Sequence, residues 1–232
     1  MLAYRGRIDE EIATLANRDA IIEALKAECA KLEEDCKRAA ESLTKKRRAA
    51  AKKLDQLVQR SLQDLGMEGA RLETTLSPGP LTLSGADRVE ILLAANPGES
   101  PKPLRHVASG GEISRVMLAL KSVFAAADGV PSLIFDEIDA GIGGQVATRV
   151  AERLRGLAAS HQVLCITHLA QIAAAGHHHF HVAKGTRNGI TTAQVMRVES
   201  RSRVEEVARL LDGSVTGVSL DHAEELLRKL AG

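Results

Sequence analysis

Ser132-Leu133-Ile134-Phe135-Asp136-Glu137 joins a short, largely apolar run to two adjacent carboxylates. The run has the length of a buried strand, and carboxylates at a strand's C-terminal end sit where open α/β sheets bind ligands. Six residues alone also allow a strand followed by an acidic turn. On either side the chain alternates helix and strand. A helix is predicted from Gly110 to about Ala127, another from about Gly144 to Ala159, and a second buried run spans Val163 to Thr167 and leads to His168. This order specifies an α/β domain with a parallel core.

Further upstream, short β-like runs at Arg71 to Leu76 and Val89 to Ala95 are punctuated by Ser77-Pro78-Gly79-Pro80 and Asn96-Pro97-Gly98. Downstream, a strand pair (His179 to Ala183, Ile190 to Val198) precedes two amphipathic helices near 203–211 and 219–230. Ser202 and Glu205 are placed as a capping box for the first of these helices.

Residues 1–65 are of a different kind. They hold no proline and one glycine, Gly6, with apolar or small residues every seven positions: Ile8, Leu15, Ile22, Cys29, Cys36, Leu43, Ala50 and Leu57. Leu25, Leu32 and Ala39 follow seam members by three, whereas Ile12 and Leu54 follow by four, so the stripe drifts at both ends. A helix this long extends about 95 Å. It is expected to project as an arm and pair with another helix, and no second heptad stretch follows. The division predicted is an arm helix at 1–65 and a globular part at 66–232. Between Ser42 and Leu65 the arm turns basic, with Lys45, Lys46, Arg47, Arg48, Lys52, Lys53 and Arg60 against Asp55 and Asp64. Such a run is either a solvated face or a contact for the DNA backbone.

Composition narrows the function classes. Four aromatic residues are too few for a platform that reads single strands by stacking, and 31 Lys+Arg against 30 Asp+Glu confine any nucleic-acid contact to a region. Three cysteines are too few for a disulfide framework and none forms a C-x-x-C pair that could hold zinc, so a reducing cytoplasm is the expected setting. No apolar run is long enough to span a membrane.

In nucleotide hydrolases an Asp placed like Asp136 holds Mg²⁺, because a hard cation bridging phosphates takes oxygen ligands, and a Glu placed like Glu137 can orient and deprotonate water. Ser109-Gly110-Gly111-Glu112 opens a helix with Ser109 as N-cap and Glu112 positioned for a capping box. Two glycines in a first turn weaken the helix, and they suit a backbone that must come close to an anionic ligand.

The ordered set Ala108-Ser109-Gly110-Gly111-Glu112-Ile113-Ser114-Arg115, Asp136-Glu137-Ile138-Asp139 and Thr167-His168 resembles the C-terminal half of ABC-type ATPases of the SMC family. The likeness runs from about Gly66 to the C-terminus. It implies a P-loop NTPase-like parallel sheet with flanking helices, forming the C-terminal lobe of a head preceded by a coiled-coil helix. By the same resemblance Ser109 to Glu112 form the signature that meets the γ-phosphate of ATP on a second head. Asp136 is then the Mg²⁺ ligand, Glu137 the base, Asp139 the start of the D-loop and His168 the switch histidine. The D-loop departs from the pattern at Gly141, Gly143 and Gly144. The implied activity is ATP hydrolysis in double-strand break repair at the nucleoid. The implied partners are DNA, a second copy joined through ATP-bound heads, and the N-terminal half that carries the phosphate loop and outgoing arm. The ATPase partner of a break-processing nuclease is the alternative.

No Gly-Lys dipeptide occurs, so the G-x-x-x-x-G-K-[ST] phosphate loop is not in this sequence. The chain therefore reads as a fragment that begins within the returning arm and is inactive alone. His177, His179 and His181 could share one face of a strand, yet no acidic partner neighbours them in sequence, which disfavours a metal site. Cys29 and Cys36 are read as residues of the coiled-coil core.

Overall fold

The computed structural model describes residues 2–106, 109–125, 129–187 and 190–231. Helix α1 (Leu2–Asp64) is unbroken, as the lack of internal proline allows. It closes where Leu65 and Met67 donate N–H groups to the carbonyls of Ser61 and Leu62, and Gly66 adopts φ +75°. A Cβ at Gly66 would lie 2.8 Å from Val146 Cγ1, so conformation and space both require glycine there.

The chain forms two compact units, residues 1–52 with 75–90 and residues 53–74 with 91–232. The outer part of the first hairpin thus belongs with the arm, a partition that a linear division at Gly66 has no means to express.

Strands β1 (Arg71–Thr82) and β2 (Gly85–Ala94), whose outer parts fall in the first unit, run longer than the sequence predicts. Pro78 and Pro80 lie inside β1 instead of marking a turn. With strand order β1-β2-β3, β1 is an edge strand, where a residue without an N–H is tolerated. The turn itself lies at 83–84, where Thr82 Oγ1 accepts from the Ser84 N–H and donates to the Gly85 carbonyl.

This hairpin docks on α1 beside the heptad seam, of whose members it meets Leu43. Ala40 and Ala51 are buried, and Leu43 Cδ2 comes within 2.8 Å of where a Cβ of Gly85 would stand. Arg47 donates to Asp87 at 3.0 Å and to the Ser84 carbonyl at 2.7 Å, while Thr44 Oγ1 donates to Asp87 at 2.7 Å. Toward the N-terminus, Ile8, Ile12, Leu15, Ile22, Leu25 and Leu32 are exposed. Cys29 and Cys36 are exposed too, so within this chain they are not core residues.

In the second unit, Val58, Leu62 and Leu65 from the end of α1 are fully buried among Val116, Leu118, Ile138 and Val150. Burial of that kind contributes about 1.5–3 kcal/mol per large side chain. Helix α2 (Gly110–Phe124), strand β4 (Ser132–Phe135), helix α3 (Gly144–Leu157) and strand β5 (Gln162–Cys165) form the expected α/β order. The C-terminal end predicted for α2, near Ala127, lies outside the described residues. β4 and β5 are parallel, in register from Ser132 opposite Gln162 to Phe135 opposite Cys165. Short strand β3 (Lys102–Pro103) pairs with β2, and the short helix α4 (Ala170–Ala175) follows β5. Arg155 and Arg203 donate to carbonyls at the C-terminal end of α4.

Antiparallel strands β6 (His179–Arg187) and β7 (Ile190–Val198) lead into α5 (Ser200–Asp212) and α6 (Gly217–Ala231). α5 starts three residues earlier than expected. Glu199 is its N-cap, and Ser202 Oγ accepts from the Glu199 N–H at 3.1 Å, so Ser202 closes the first turn and does not open it.

Hydrogen bonds from Thr44 and then Arg47 hold the Asp87 carboxyl below the usual carboxylate range. A lowered native pKa means that this contribution is complete above the unfolded value and disappears as pH falls through the native one. Asp87→Asn should therefore lower the melting temperature at neutral pH, and the gap from wild type should shrink on acidification below the usual carboxylate range. Thermal melts of both proteins across pH measure it.

Candidate active site at the β4 and β5 strand ends

β4 delivers Asp136 and Glu137 to the surface, both exposed, and Glu137 adopts φ +55°. A non-glycine residue in the left-handed region needs support from its surroundings. Here α2 supplies it. Ser114 Oγ donates to the Asp136 carbonyl at 2.7 Å, and Asp136 Oδ1 accepts from the Glu137 N–H at 2.9 Å. Buried Arg115 donates through Nη1 to the carbonyls of Ile138 at 3.3 Å and Ala140 at 2.9 Å. Burial lowers the pKa of that guanidinium, with Glu112 acting in the opposite direction.

The start of α2 is fitted against the same loop. Ser109 is the N-cap, accepting from the Glu112 N–H at 3.4 Å. Ala108, which opens the motif, lies outside the described residues. A Cβ at Gly111 would lie 2.8 Å from Ala140 Cβ and 3.0 Å from the Glu137 carbonyl oxygen. At Gly110 it would run into Glu137 Oε2. The glycines thus have an intramolecular reason, close packing of the helix start on the acidic loop, in addition to any approach of a ligand.

Asp139 is turned inward and only 4% exposed. Its Oδ2 accepts from Thr167 Oγ1 at 2.6 Å and the His168 N–H at 2.8 Å, and lies 3.0 Å from His168 Nδ1. Ser109 to Glu112, Asp136, Glu137, Asp139 and His168 are therefore linked through one loop. Cys165, at the end of β5, has its thiol pushed up to about 12 by burial, with Asp139 and Asp136 adding to the effect, and carries no nucleophilic thiolate at neutral pH.

The remaining sequence candidates stand apart. Lys45, Lys46, Arg48, Lys52 and Lys53 are exposed, but Arg47 is half-buried on Asp87 and is not available to the basic run. His177 precedes β6. His181 Nδ1 lies 2.9 Å from Glu206 of α5, an acidic partner that sequence adjacency hides. Glu206 is held below the usual carboxylate range, first by Arg209 and then by His181 against the effect of burial. Among the described residues, no three His, Cys, Asp or Glu side chains group as a metal site.

Sequence patterns assign no separate role to Arg115, Ser114 or Thr167. Arg115 has a readable signal, since it lies four residues after Gly111 and four before Ala119 on the buried stripe of α2.

The fold resembles the Smc head domain with a coiled coil and joint from Pyrococcus yayanosii, with a TM-score of 0.50 at 21% identity over 72% of this chain and 30% of that one. The fold is thus that of an SMC head segment, an α/β unit preceded by a long arm helix. No family model matches the chain. Curated proteins named DNA repair protein RecN are similar over nearly its whole length. Identity is 41% to that of Xylella fastidiosa strain Temecula1 (92% of this chain, 39% of that protein), 38% to that of Bacillus subtilis (99% and 43%) and 42% to that of Deinococcus radiodurans (98% and 40%). The chain thus resembles RecN proteins and spans about two-fifths of the length of these relatives.

The two glycines should respond differently to an added methyl. Gly111→Ala meets backbone and a fixed Cβ and should destabilise by about 1–3 kcal/mol, as overpacking does. Gly110→Ala meets the movable end of Glu137 and should cost less. Denaturant unfolding of the two variants measures the difference.

Proposed function

We propose that this chain is the signature-bearing half of an ATPase head with its returning arm, and that the whole protein hydrolyses ATP in the repair of DNA double-strand breaks. The observation that carries this reading is the D-E pair at the end of β4, fastened by the S-G-G-E-I-S-R helix and joined through Asp139 to His168. RecN relatives named for DNA repair support the biological setting, which would be the cytoplasm and nucleoid. Among the described residues no helix is long and apolar enough to cross a membrane.

The donor chemistry of Asp136 fits Mg²⁺, since it is an exposed carboxylate at a strand end with Oδ2 available beside the bond made by Oδ1. Bound there, the cation would neutralise charge on the phosphates. Glu137 would take a proton from the attacking water. Ser109 and the N–H groups of Gly110 to Glu112 would bind the γ-phosphate of ATP held by a second head, and His168 would contact the same phosphate. The phosphate loop must come from the N-terminal half. A sheet face suited to receive that half is present: Ile134, Leu164 and Ile166 share one side of the β4–β5 pair and are 72%, 47% and 62% exposed. The exposed arm seam would take the outgoing helix.

The two halves combined should hydrolyse ATP, and this chain alone should not. Glu137→Gln should lower turnover by roughly 10²-fold or more while ATP-bound head dimers accumulate. Ser109→Arg should abolish turnover without trapping the dimer. Light scattering with ATP separates the two, and normal turnover in Glu137→Gln would remove Glu137 as base.

We further propose that the exposed members of the basic run contact DNA phosphates. Replacing Lys45, Lys46, Arg48, Lys52 and Lys53 by Gln should weaken duplex binding and reduce the salt slope by about 0.9 for each phosphate no longer neutralised. Arg47→Gln should leave the slope unchanged, because that guanidinium is engaged with Asp87.

A further inference from the structure

We infer that Asp139 acts as the positioning residue of the hydrolytic site, fixing the tautomer and orientation of His168 so that Nε2 is the ring atom presented to the phosphate; this rests on the function proposed above. His168 is exposed at its side chain, 73%, and among the described residues Asp139 is the polar partner of its ring. Without that partner a surface imidazole rotates and samples both tautomers. With it, Nδ1 carries a proton donated to the carboxylate, and Nε2 is the remaining ring nitrogen.

Asp139 is suited to this and poorly suited to touch nucleotide itself. Three donors converge on its one oxygen Oδ2: the Thr167 hydroxyl, the His168 N–H and His168 Nδ1. The carboxylate is buried, and the carbonyls of Ile138 and Ala140 on either side of it are both held by Arg115. The backbone that carries Asp139 is therefore anchored by the same helix that carries Ser109 to Glu112. A group held on both flanks and turned inward can aim a neighbour accurately, and misplacement of a reacting contact by about 1 Å can cost about 10²-fold in rate.

The tautomer can be read directly from ¹⁵N spectra of the histidine-labelled chain, with the His168 resonances assigned by their loss in His168→Gln. The wild type should show His168 protonated at Nδ1. Asp139→Ala should shift the ring toward the Nε2-protonated form and, in the protein assembled from both halves, lower kcat by about 10²-fold with little change in KM for ATP.

Asp139→Asn tests the same point with less disturbance of the fold. The His168 backbone N–H can only donate, so it orients the Asn carbonyl oxygen toward itself. The ring should then keep its Nδ1 proton, and kcat should fall less than in Asp139→Ala. An Nδ1-protonated ring in Asp139→Ala, or an Nε2-protonated ring in Asp139→Asn, would overturn the positioning role whatever the turnover. Undiminished turnover in His168→Gln would instead show that this is not the hydrolytic site, and the inference would fall with that reading.

Discussion

A guanidinium on two carbonyls holds the site together. Arg115 is buried, and its Nη1 reaches the carbonyls of Ile138 and Ala140, which a tight loop would otherwise leave turned into the core without partners. Unsatisfied buried carbonyls are costly, and so is a buried cation without acceptors, so each offsets the desolvation of the other. Among the described residues the arrangement is incomplete at Arg115 Nε, which finds no partner. That residual cost is accepted where the loop must keep Glu137 in the left-handed region and Asp139 turned inward. Arg203 repeats the device under the end of α4, again with carbonyl acceptors and an Nε without a partner among the described residues.

The site is readable in sequence where chemistry depends on residue type in order along the chain, and less so where it depends on a through-space partner. S-G-G-E, D-E and T-H are evident as strand and helix termini, and β4 and β5 pair as the alternation predicts. What Asp139 touches is not evident, because Thr167 and His168 lie far from it in sequence and arrive only through β5. The same reason hides Glu206 beside His181 and Asp87 beside Arg47. Pro78 and Pro80 mislead for a different reason. Proline signals a turn unless the strand has an open edge, and edge position is a property of the sheet, not of the tetrapeptide.

The exposed apolar surfaces have two different characters. On the β4–β5 pair the exposed face consists of aliphatic residues, whereas Leu133 and Phe135, which alternate with Ile134 along β4, lie in the core, so one side of the sheet is finished and the other is not. On the arm, the seam positions from Ile8 to Cys36 are exposed, Leu43 is partly covered beside the hairpin of the same unit, and Ala50 and Leu57 are exposed again. A helix pairing with the arm would meet the hairpin beside Leu43. The heptad pattern by itself gives no sign of that contact.

The three cysteines differ in reactivity as a result of where they lie. Cys165 is kept as an inert thiol by burial and two nearby carboxylates, whereas Cys29 and Cys36 stand exposed one heptad apart on the open part of the seam. Thiol-directed probes at neutral pH will therefore modify the arm and spare the strand end beside the acidic loop. The sequence already supplies a pair of spectroscopic addresses on the exposed heptad seam, and within residues 66–232 Cys165 is the one cysteine.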